Sequence, residues 1–263
     1  MTPRGATTAA GAVLVVLGAL AGCSPSSPAA RTALAVAAAA SLRPAVAALT
    51  EAYEAEHDVT LTVSADSSAA LRTQVEEGAR FDVFLAADTR NPQALADAGL
   101  ADEPVRFAAN AVALVVPAAN PGLIRDPADL ARPGLRLIAA GEEVPITRYA
   151  DEVLRNLAAT QPDPAGFEAA VRANIASREE NVAAVVARIA LGEGDAAFVY
   201  ATDAQATEDL SVIAIPDEVN VRAVYAGVVP RGATQPAEGG AFLAWVAGAE
   251  GRAVLAPFGF MAP

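Results

Sequence analysis

Apolar and polar positions follow two patterns that succeed one another repeatedly along this chain from Thr32 onward. Short apolar runs predict buried strands, and the first of them is Leu34 to Ala40. Apolar positions spaced by three or four residues predict helices, and the first such face is formed by Leu42, Val46, Leu49 and Tyr53. Strands that alternate with helices in this way are typical of α/β proteins with largely parallel sheets.

The same two patterns predict the rest of the secondary structure. Further strands are predicted at 59–63, 81–87, 105–116, 135–139, 196–200, 212–215 and 221–229. Helices are predicted from Ser67-Ser68 to Gly78, over 91–98, after Asp126, over 146–157, 167–175 and 183–191, and around Trp245 and Val254.

Two of the predicted strands, 105–116 and 221–229, are long enough to cross between two bodies. They bracket the middle of the chain, so we predict a discontinuous first lobe, residues 33–109 plus 226–263, and a second lobe, residues 110–225. This is the layout of a two-lobed binding protein with a two-strand hinge. In open α/β sheets, ligands lie beyond the carboxyl ends of the strands, where helix N-termini point.

The N-terminus has the pattern of a secretory signal. Residues 1–22 carry one early arginine and an apolar run from Ala12 to Ala21. The run ends in Leu20-Ala21-Gly22-Cys23, which resembles a bacterial lipobox, and Cys23 is the only cysteine. We therefore predict a lipoprotein signal peptide, a lipidated Cys23, and a tether over residues 23–32.

Composition excludes several classes of protein. Hydrophobic residues make up 54% of the chain and charged residues 19%, as in ordered globular proteins. The net charge of −13 makes nucleic acids and anionic membrane surfaces poor partners. The one histidine, His57, is predicted in a solvated loop, and no motif for metal or nucleophilic catalysis is present. A secreted serine hydrolase with Ser41 as nucleophile stays open as an alternative, but it would have to recruit His57 as its base.

Several predicted helices begin directly after strands with small polar or unhindered residues. The first-turn N–H groups of a helix have no partner within the helix, and its dipole favours anions. Ser41 is predicted to N-cap the first helix, and the starts at Ser67-Ser68 and Ile146-Thr147 also follow predicted strands. Asn181-Val182 opens a further predicted helix. Such neutral donors suit a fully deprotonated tetrahedral oxyanion.

Several motifs of the chain together resemble the molybdate-binding proteins of ABC import systems. They are Val36–Leu42, Ser67-Ser68 with Leu71 and 74–79, Asp82–Asp88, Val144-Pro145 with Arg148-Tyr149-Ala150, Asn181-Val182, Val199-Tyr200 with Thr202-Asp203-Ala204, and Phe258-Gly259-Phe260. The resemblance covers nearly the whole mature chain and implies a type II periplasmic-binding-protein fold.

The resemblance also implies a function and a set of contacts. It implies a non-enzymatic, monomeric, extracytoplasmic protein without a cofactor that captures molybdate or tungstate and passes it to an ABC permease. Molybdenum would be bound only as its oxyanion, through Ser41, Ser68, Ile146, Val182 and Tyr200. Sulfate and phosphate stay open as alternative ligands.

Four residues depart from the family pattern or invite another role. The pair Ile146-Thr147 stands where the family usually has Ala-Gly, which bears on the width of the pocket. Asp66 is a carboxylate where a small residue is usual, and we expect it to face away from the anion. Arg148 is expected to pair with a neighbouring carboxylate such as Asp151 or Glu152 and not with the ligand.

Overall fold

The computed structural model describes residues 1–3, 5 and 31–263. All of the predicted signal peptide except residues 1–3 and 5, the lipidation of Cys23 and the greater part of the tether lie outside the described residues. Residues 31–263 form one compact unit, and within them no helix combines the length and apolar character needed to cross a membrane.

Strands and helices alternate as the sequence pattern predicts. The strands are β1 (Thr32–Ala39), β2 (Val59–Asp66), β3 (Val83–Ala86), β4 (Val105–Pro117), β5 (Leu137–Ala140), β6 (Ile175–Glu179), β7 (Ala197–Tyr200), β8 (Leu210–Ile213) and β9 (Arg222–Val228). The helices are α1 (Arg43–Glu56), α2 (Ser68–Glu76), α3 (Arg90–Asp97), α4 (Pro145–Ala159), α5 (Pro164–Ala173), α6 (Val182–Ala190), α7 (Ala201–Gln205), α8 (Pro236–Ala247) and α9 (Ala249–Leu255).

Hydrogen bonding between strands runs in the order β2-β1-β3-β9-β4-β7, with β8 also paired to β4. The pairs β1–β2, β1–β3 and β5–β6 are parallel. The strands β4 and β9 pair antiparallel to each other and to their other neighbours, so the sheets are mixed. A parallel bridge from Leu137 to Ala196 places β5 beside the start of β7.

The two long strands are adjacent in the structure. β4 pairs with β9 over residues 105–111 and with β7 and β8 over residues 112–117. A single strand thus joins the β1–β3 group to the β5–β8 group. We keep the names first lobe (33–109 plus 226–263) and second lobe (110–225), and these boundaries stay a prediction.

The apolar faces predicted from spacing are buried. In α1, Leu49 is fully buried and Tyr53 is 2% exposed, and both pack into the main core together with Val36 of β1. Gly78 follows α2 with a φ of +95°, a backbone conformation that glycine adopts without strain and that ends the helix.

The predicted end of the helix over 167–175 is wrong, and the strand that follows it was not predicted. Residues 167–175 were predicted as helix, but α5 ends at Ala173 and Ile175 begins β6. The side-chain amide of Asn174 donates to the backbone oxygens of Leu130 and Arg132, at 2.8 and 2.7 Å, which turns the chain. Only Ile175 and Ala176 of residues 175–179 are apolar, and no residue of the segment is fully buried, so the strand structure depends on pairing with β5 and not on an apolar run.

Candidate functional site at the helix starts

Ser41 follows β1, but it does not cap α1. Residues Ala40–Leu42 form a 3-10 turn, and α1 begins only at Arg43, with Leu42 in the N-cap position and no side-chain cap. The prediction that Ser41 is an N-cap is therefore wrong. The extra turn displaces the helix start, because Pro44 fixes the backbone in the first helical turn. Ser41 is instead 1% exposed, and its Oγ accepts a hydrogen bond from the hydroxyl of Tyr225 at 2.9 Å.

Ser67 and Ser68, at the start of α2, have different hydrogen-bonding roles. Ser67 is the N-cap of α2, and its Oγ accepts from the N–H of Ala70 at 3.1 Å. Ser68 is the first helical residue, and its Oγ accepts from the N–H of Ala87 at 3.0 Å. A serine hydroxyl has one proton to donate. Since donors already occupy acceptor positions on Ser41 and Ser68, each hydroxyl keeps its own proton for another partner.

Ile146 and Val182 supply backbone donors in the second lobe. Ile146 is the second residue of α4, after Pro145, and Val182 is the first residue of α6, after its N-cap Asn181. Asn181 caps through its Oδ1, which accepts from the N–H of Ala184 at 3.0 Å. At these positions a backbone N–H has no acceptor within its own helix, and the helix dipole adds partial positive charge.

Tyr200 ends β7 and is 1% exposed. Its hydroxyl donates to the backbone oxygen of Ala87 across the lobes, at 3.5 Å, the long limit for a hydrogen bond. Burial raises the pKa of the Tyr200 phenol well above its ordinary value. The Tyr200 phenol is therefore a neutral donor, and its hydrogen bond to the backbone oxygen of Ala87 is a weak one.

All five predicted contact residues line one cavity. Its walls are Ala39, Ala40, Ser41, Ser67, Ser68, Ala87, Val144, Pro145, Ile146, Val182 and Tyr200. The cavity has a volume of about 10 Å³, near the lower limit for one buried water molecule. These walls carry no charged side chain. As it stands, the cavity therefore presents neutral hydrogen-bond donors to a space no larger than one water molecule.

Asp66 does not line the cavity. Its Oδ1 accepts from the N–H of Ser67 at 2.7 Å and from the amide of Asn181 at 3.3 Å. The carboxylate thus joins the start of α2 to the start of α6 across the two lobes.

Arg148 has a different partner from the one expected. Its guanidinium bonds the carboxylate of Asp88 in the first lobe at 3.1 Å, whereas Asp151 pairs with Arg172 at 2.9 Å. Asp88 is 1% exposed and also accepts from the backbone and amide nitrogens of Asn91. The sequence carried no local signal for this pair, because its members lie on different lobes.

A polar cleft adjoins the cavity, with Val144 lining both. The cleft has a volume of about 350 Å³, and its charged residues are Arg72, Arg90, Arg148, Arg155, Asp88, Glu142, Glu143 and Asp151. A separate cavity of about 60 Å³ lies behind α4, with largely apolar walls that include Ile146. Its walls also include Arg172 and Arg178, but Arg172 pairs with Asp151 and Glu168, and Arg178 donates to the backbone oxygen of Ala140.

The arrangement needed for a serine hydrolase is not formed. His57 stands at the C-terminal end of α1, where its ring stacks on Tyr53 with the ring centroids 3.9 Å apart. Its Nδ1 lies 2.9 Å from the backbone oxygen of Tyr53. Ser41 is hydrogen-bonded to Tyr225 instead of a base. Within residues 31–263, no three His, Cys, Asp or Glu side chains are grouped so that they could hold a metal ion.

Residues 34–261, nearly all of this compact unit, match the family model for bacterial extracellular solute-binding proteins. The chain belongs to this family. Solute binding is therefore its general role, and the predicted extracytoplasmic location is confirmed in this general form.

Known members and related structures agree with this assignment. The molybdate-binding protein ModA of Mycobacterium bovis is 34% identical over 229 residues, which cover 86% of this chain and 83% of the relative. The Azotobacter vinelandii periplasmic molybdate-binding protein superposes with a TM-score of 0.74 at 22% identity, covering 88% of this chain and 99% of that one. The sulfate-binding protein SubI of Mycobacterium tuberculosis H37Rv also gives 0.74, at 21% identity, covering 88% and 86%.

These likenesses confirm the resemblance to molybdate-binding proteins and the type II periplasmic-binding-protein fold. A molybdate binder and a sulfate binder superpose equally well. The fold therefore leaves the choice of anion to the residues around the cavity.

Proposed function

We propose that this protein binds molybdate, and also tungstate, in the cavity between its lobes and delivers it to the permease of an ABC importer. The observation that carries the proposal is the convergence of Ser41, Ser68, Ile146, Val182 and Tyr200 on one cavity in a chain 34% identical to a molybdate-binding protein.

The donor set suits an anion without protons. Molybdate and tungstate need only hydrogen-bond donors, and hydroxyl and N–H groups provide them without a counter-charge. Hydrogen phosphate also brings a donor and needs an acceptor such as a carboxylate. The cavity walls contain no carboxylate, and Asp66 is not among them; its Oδ1 accepts from Ser67 and Asn181.

A net charge of −13 does not oppose this binding. Charges further away than about 8 Å are screened at physiological salt, while the helix dipoles act at contact distance. The choice between sulfate and molybdate depends on size. The proposal requires that the lobes, once closed on the ion, hold the donors at the spacing of the larger ion, so that the smaller ion leaves its hydrogen bonds stretched.

Entry of the ion requires movement of the lobes. The cavity of about 10 Å³ is smaller than a tetrahedral oxyanion needs, so the walls move apart as the ion enters. The adjoining cleft gives a path from solvent. Three contacts beside the cavity join the lobes: Arg148–Asp88, Asn181–Asp66 and Tyr200–Ala87. They re-form when the lobes close around the ion.

The location of the protein follows from its N-terminus in this proposal. Lipidation of Cys23 after removal of residues 1–22 anchors the protein to the outer face of a membrane, and residues 23–32 serve as the tether. The protein works as a monomer beside its permease, without a cofactor and without enzymatic activity.

Calorimetric titration of the purified protein with molybdate, tungstate, sulfate and phosphate tests the proposal. We expect molybdate and tungstate to bind at least about a hundredfold more tightly than sulfate, since several stretched bonds at about 1 kcal/mol each compound. Phosphate should give no measurable heat of binding. Phosphate displacing molybdate at comparable concentration would replace this assignment with phosphate, and equal affinity for sulfate would remove the size argument.

A further inference from the structure

A chain of buried hydrogen bonds runs from the two long strands to the candidate site. Asn110 on β4 and Tyr225 on β9 are both fully buried. The amide nitrogen of Asn110 donates to the hydroxyl oxygen of Tyr225 at 3.4 Å. The hydroxyl of Tyr225 donates to Ser41 Oγ at 2.9 Å. These residues are far apart in sequence, so only the fold makes the chain continuous.

The donor and the acceptor of each hydrogen bond in this series can be assigned from Asn110 onward. The backbone N–H of Ala111 donates to Asn110 Oδ1 at 3.0 Å. A backbone N–H can only donate, so this bond identifies the amide oxygen of Asn110, and the amide nitrogen must be the group that faces Tyr225. Thr202 Oγ1 accepts from the same nitrogen at 2.8 Å, which holds the amide in place.

The same reasoning assigns the hydrogen bond between Tyr225 and Ser41. The Tyr225 oxygen accepts from Asn110, so its single proton goes to Ser41 Oγ. Ser41 accepts that proton and keeps its own hydroxyl proton for another acceptor. Among residues 31–263, Tyr225 is the hydrogen-bond partner found for Ser41 Oγ, and Ser41 also lines the oxyanion cavity. The proton of Ser41 is therefore available to a ligand there.

Packing holds the Tyr225 ring in this position. Phe107, Tyr200 and Phe260 each meet it edge-on, with ring centroids 6.0, 5.6 and 5.4 Å away. Burial raises the pKa of Tyr225 well above its ordinary value, so the phenol keeps its proton. The Tyr225 phenol is therefore a neutral donor held in a fixed position at Ser41 Oγ.

We propose that Tyr225, oriented by Asn110, is a positioning residue that turns the Ser41 hydroxyl proton toward the bound oxyanion. The inference rests on the proposed oxyanion-binding function. Without Tyr225, Ser41 has no fixed donor on its oxygen and its hydroxyl rotates among several directions, so the hydrogen bond to the ligand must first be ordered.

A double-mutant cycle tests this role. Molybdate affinity is measured by calorimetry for the wild type, Tyr225→Phe, Ser41→Ala and the double variant, with thermal melts to show that each is folded. We expect Tyr225→Phe to weaken binding about five- to tenfold and Ser41→Ala about ten- to a hundredfold. The double variant should bind as Ser41→Ala does, because Tyr225 acts only through Ser41.

Two further variants make the test specific. Tyr53→Phe removes a phenol hydroxyl from α1 that is not part of this series of hydrogen bonds, and the variant should bind molybdate as the wild type does. Asn110→Ala removes the donor that orients Tyr225, and it should weaken binding about two- to threefold with Ser41 present and not at all in Ser41→Ala. This variant also decides the question if Tyr225→Phe does not fold.

The outcomes separate the two claims. Equal losses from Tyr225→Phe with and without Ser41 would assign Tyr225 a merely structural role and overturn the inference, as would wild-type affinity in Tyr225→Phe. A wild-type protein that binds neither molybdate nor tungstate would instead refute the proposed function, whatever the variants do.

Discussion

The ion pair between Arg148 and Asp88 should contribute to ligand affinity although neither residue lines the oxyanion cavity. Arg148 lies in α4 of the second lobe and Asp88 follows β3 of the first, with 3.1 Å between them. The pair joins the two lobes, so a separation beyond the reach of the Arg148 side chain breaks it. We therefore expect Arg148→Met, which keeps much of the side-chain volume, to weaken molybdate binding by making closure less favourable.

The magnitude follows from burial. Removing one partner of a buried ion pair costs about 3–5 kcal/mol, and an exposed pair contributes about 0–1 kcal/mol. The Asp88 side chain is 1% exposed but that of Arg148 is 24% exposed, and Asp88 keeps its bonds from Asn91. An intermediate loss of about 1–2 kcal/mol corresponds to roughly five- to thirtyfold weaker binding.

A matched control variant separates the effect of losing this ion pair from the effect of removing any positive charge from the cleft. Arg155 lines the same cleft, and within the described part of the chain it has no ion-pair partner. Arg155→Met removes the same charge and should change molybdate affinity by less than about twofold, since exposed charges are screened. Calorimetry on both variants is the assay. Wild-type affinity in Arg148→Met, or an equal loss in Arg155→Met, would refute the closure argument.

Three other predictions concern single residues. Ser68→Ala should weaken molybdate binding about ten- to a hundredfold by calorimetry, because it removes a hydroxyl donor to a dianion; unchanged affinity would place the site elsewhere. Burial raises the pKa of Asp203 to about 7 from 3.8, so the folded state holds a proton that the unfolded state releases, and stability should fall as pH rises from about 4 to about 7. Asp203→Asn should remove most of this fall in thermal melts at pH 5 and pH 8, and an unchanged profile would contradict the assignment. Cys23→Ser should block processing or release the protein from membranes in detergent phase separation, and a wholly aqueous wild type would contradict lipid anchoring.

The order of helices and strands could be predicted from the sequence because it depends on periodicity over a few residues. The faces of α1 and α6 and the cap at Asn181 follow from spacing and from the side-chain chemistry of single positions. Ser41, Ser68 and Ile146 could be found because each follows a predicted strand, and Val182 could be found because Asn181 is a typical N-cap residue, and both are local features. Tyr200 needed the resemblance to a known family, because a tyrosine at a strand end is equally typical of a core.

Tertiary structure alone decided how these elements meet. β6 is a strand because β5 offers it a partner, and its own residues carry no clear apolar pattern. The partners of Ser41 and Arg148 lie 184 and 60 residues away, beyond the reach of any periodic pattern. Hydrogen bonds and ion pairs depend on distances of about 3 Å, and only the packed fold sets those distances between separate segments of the chain.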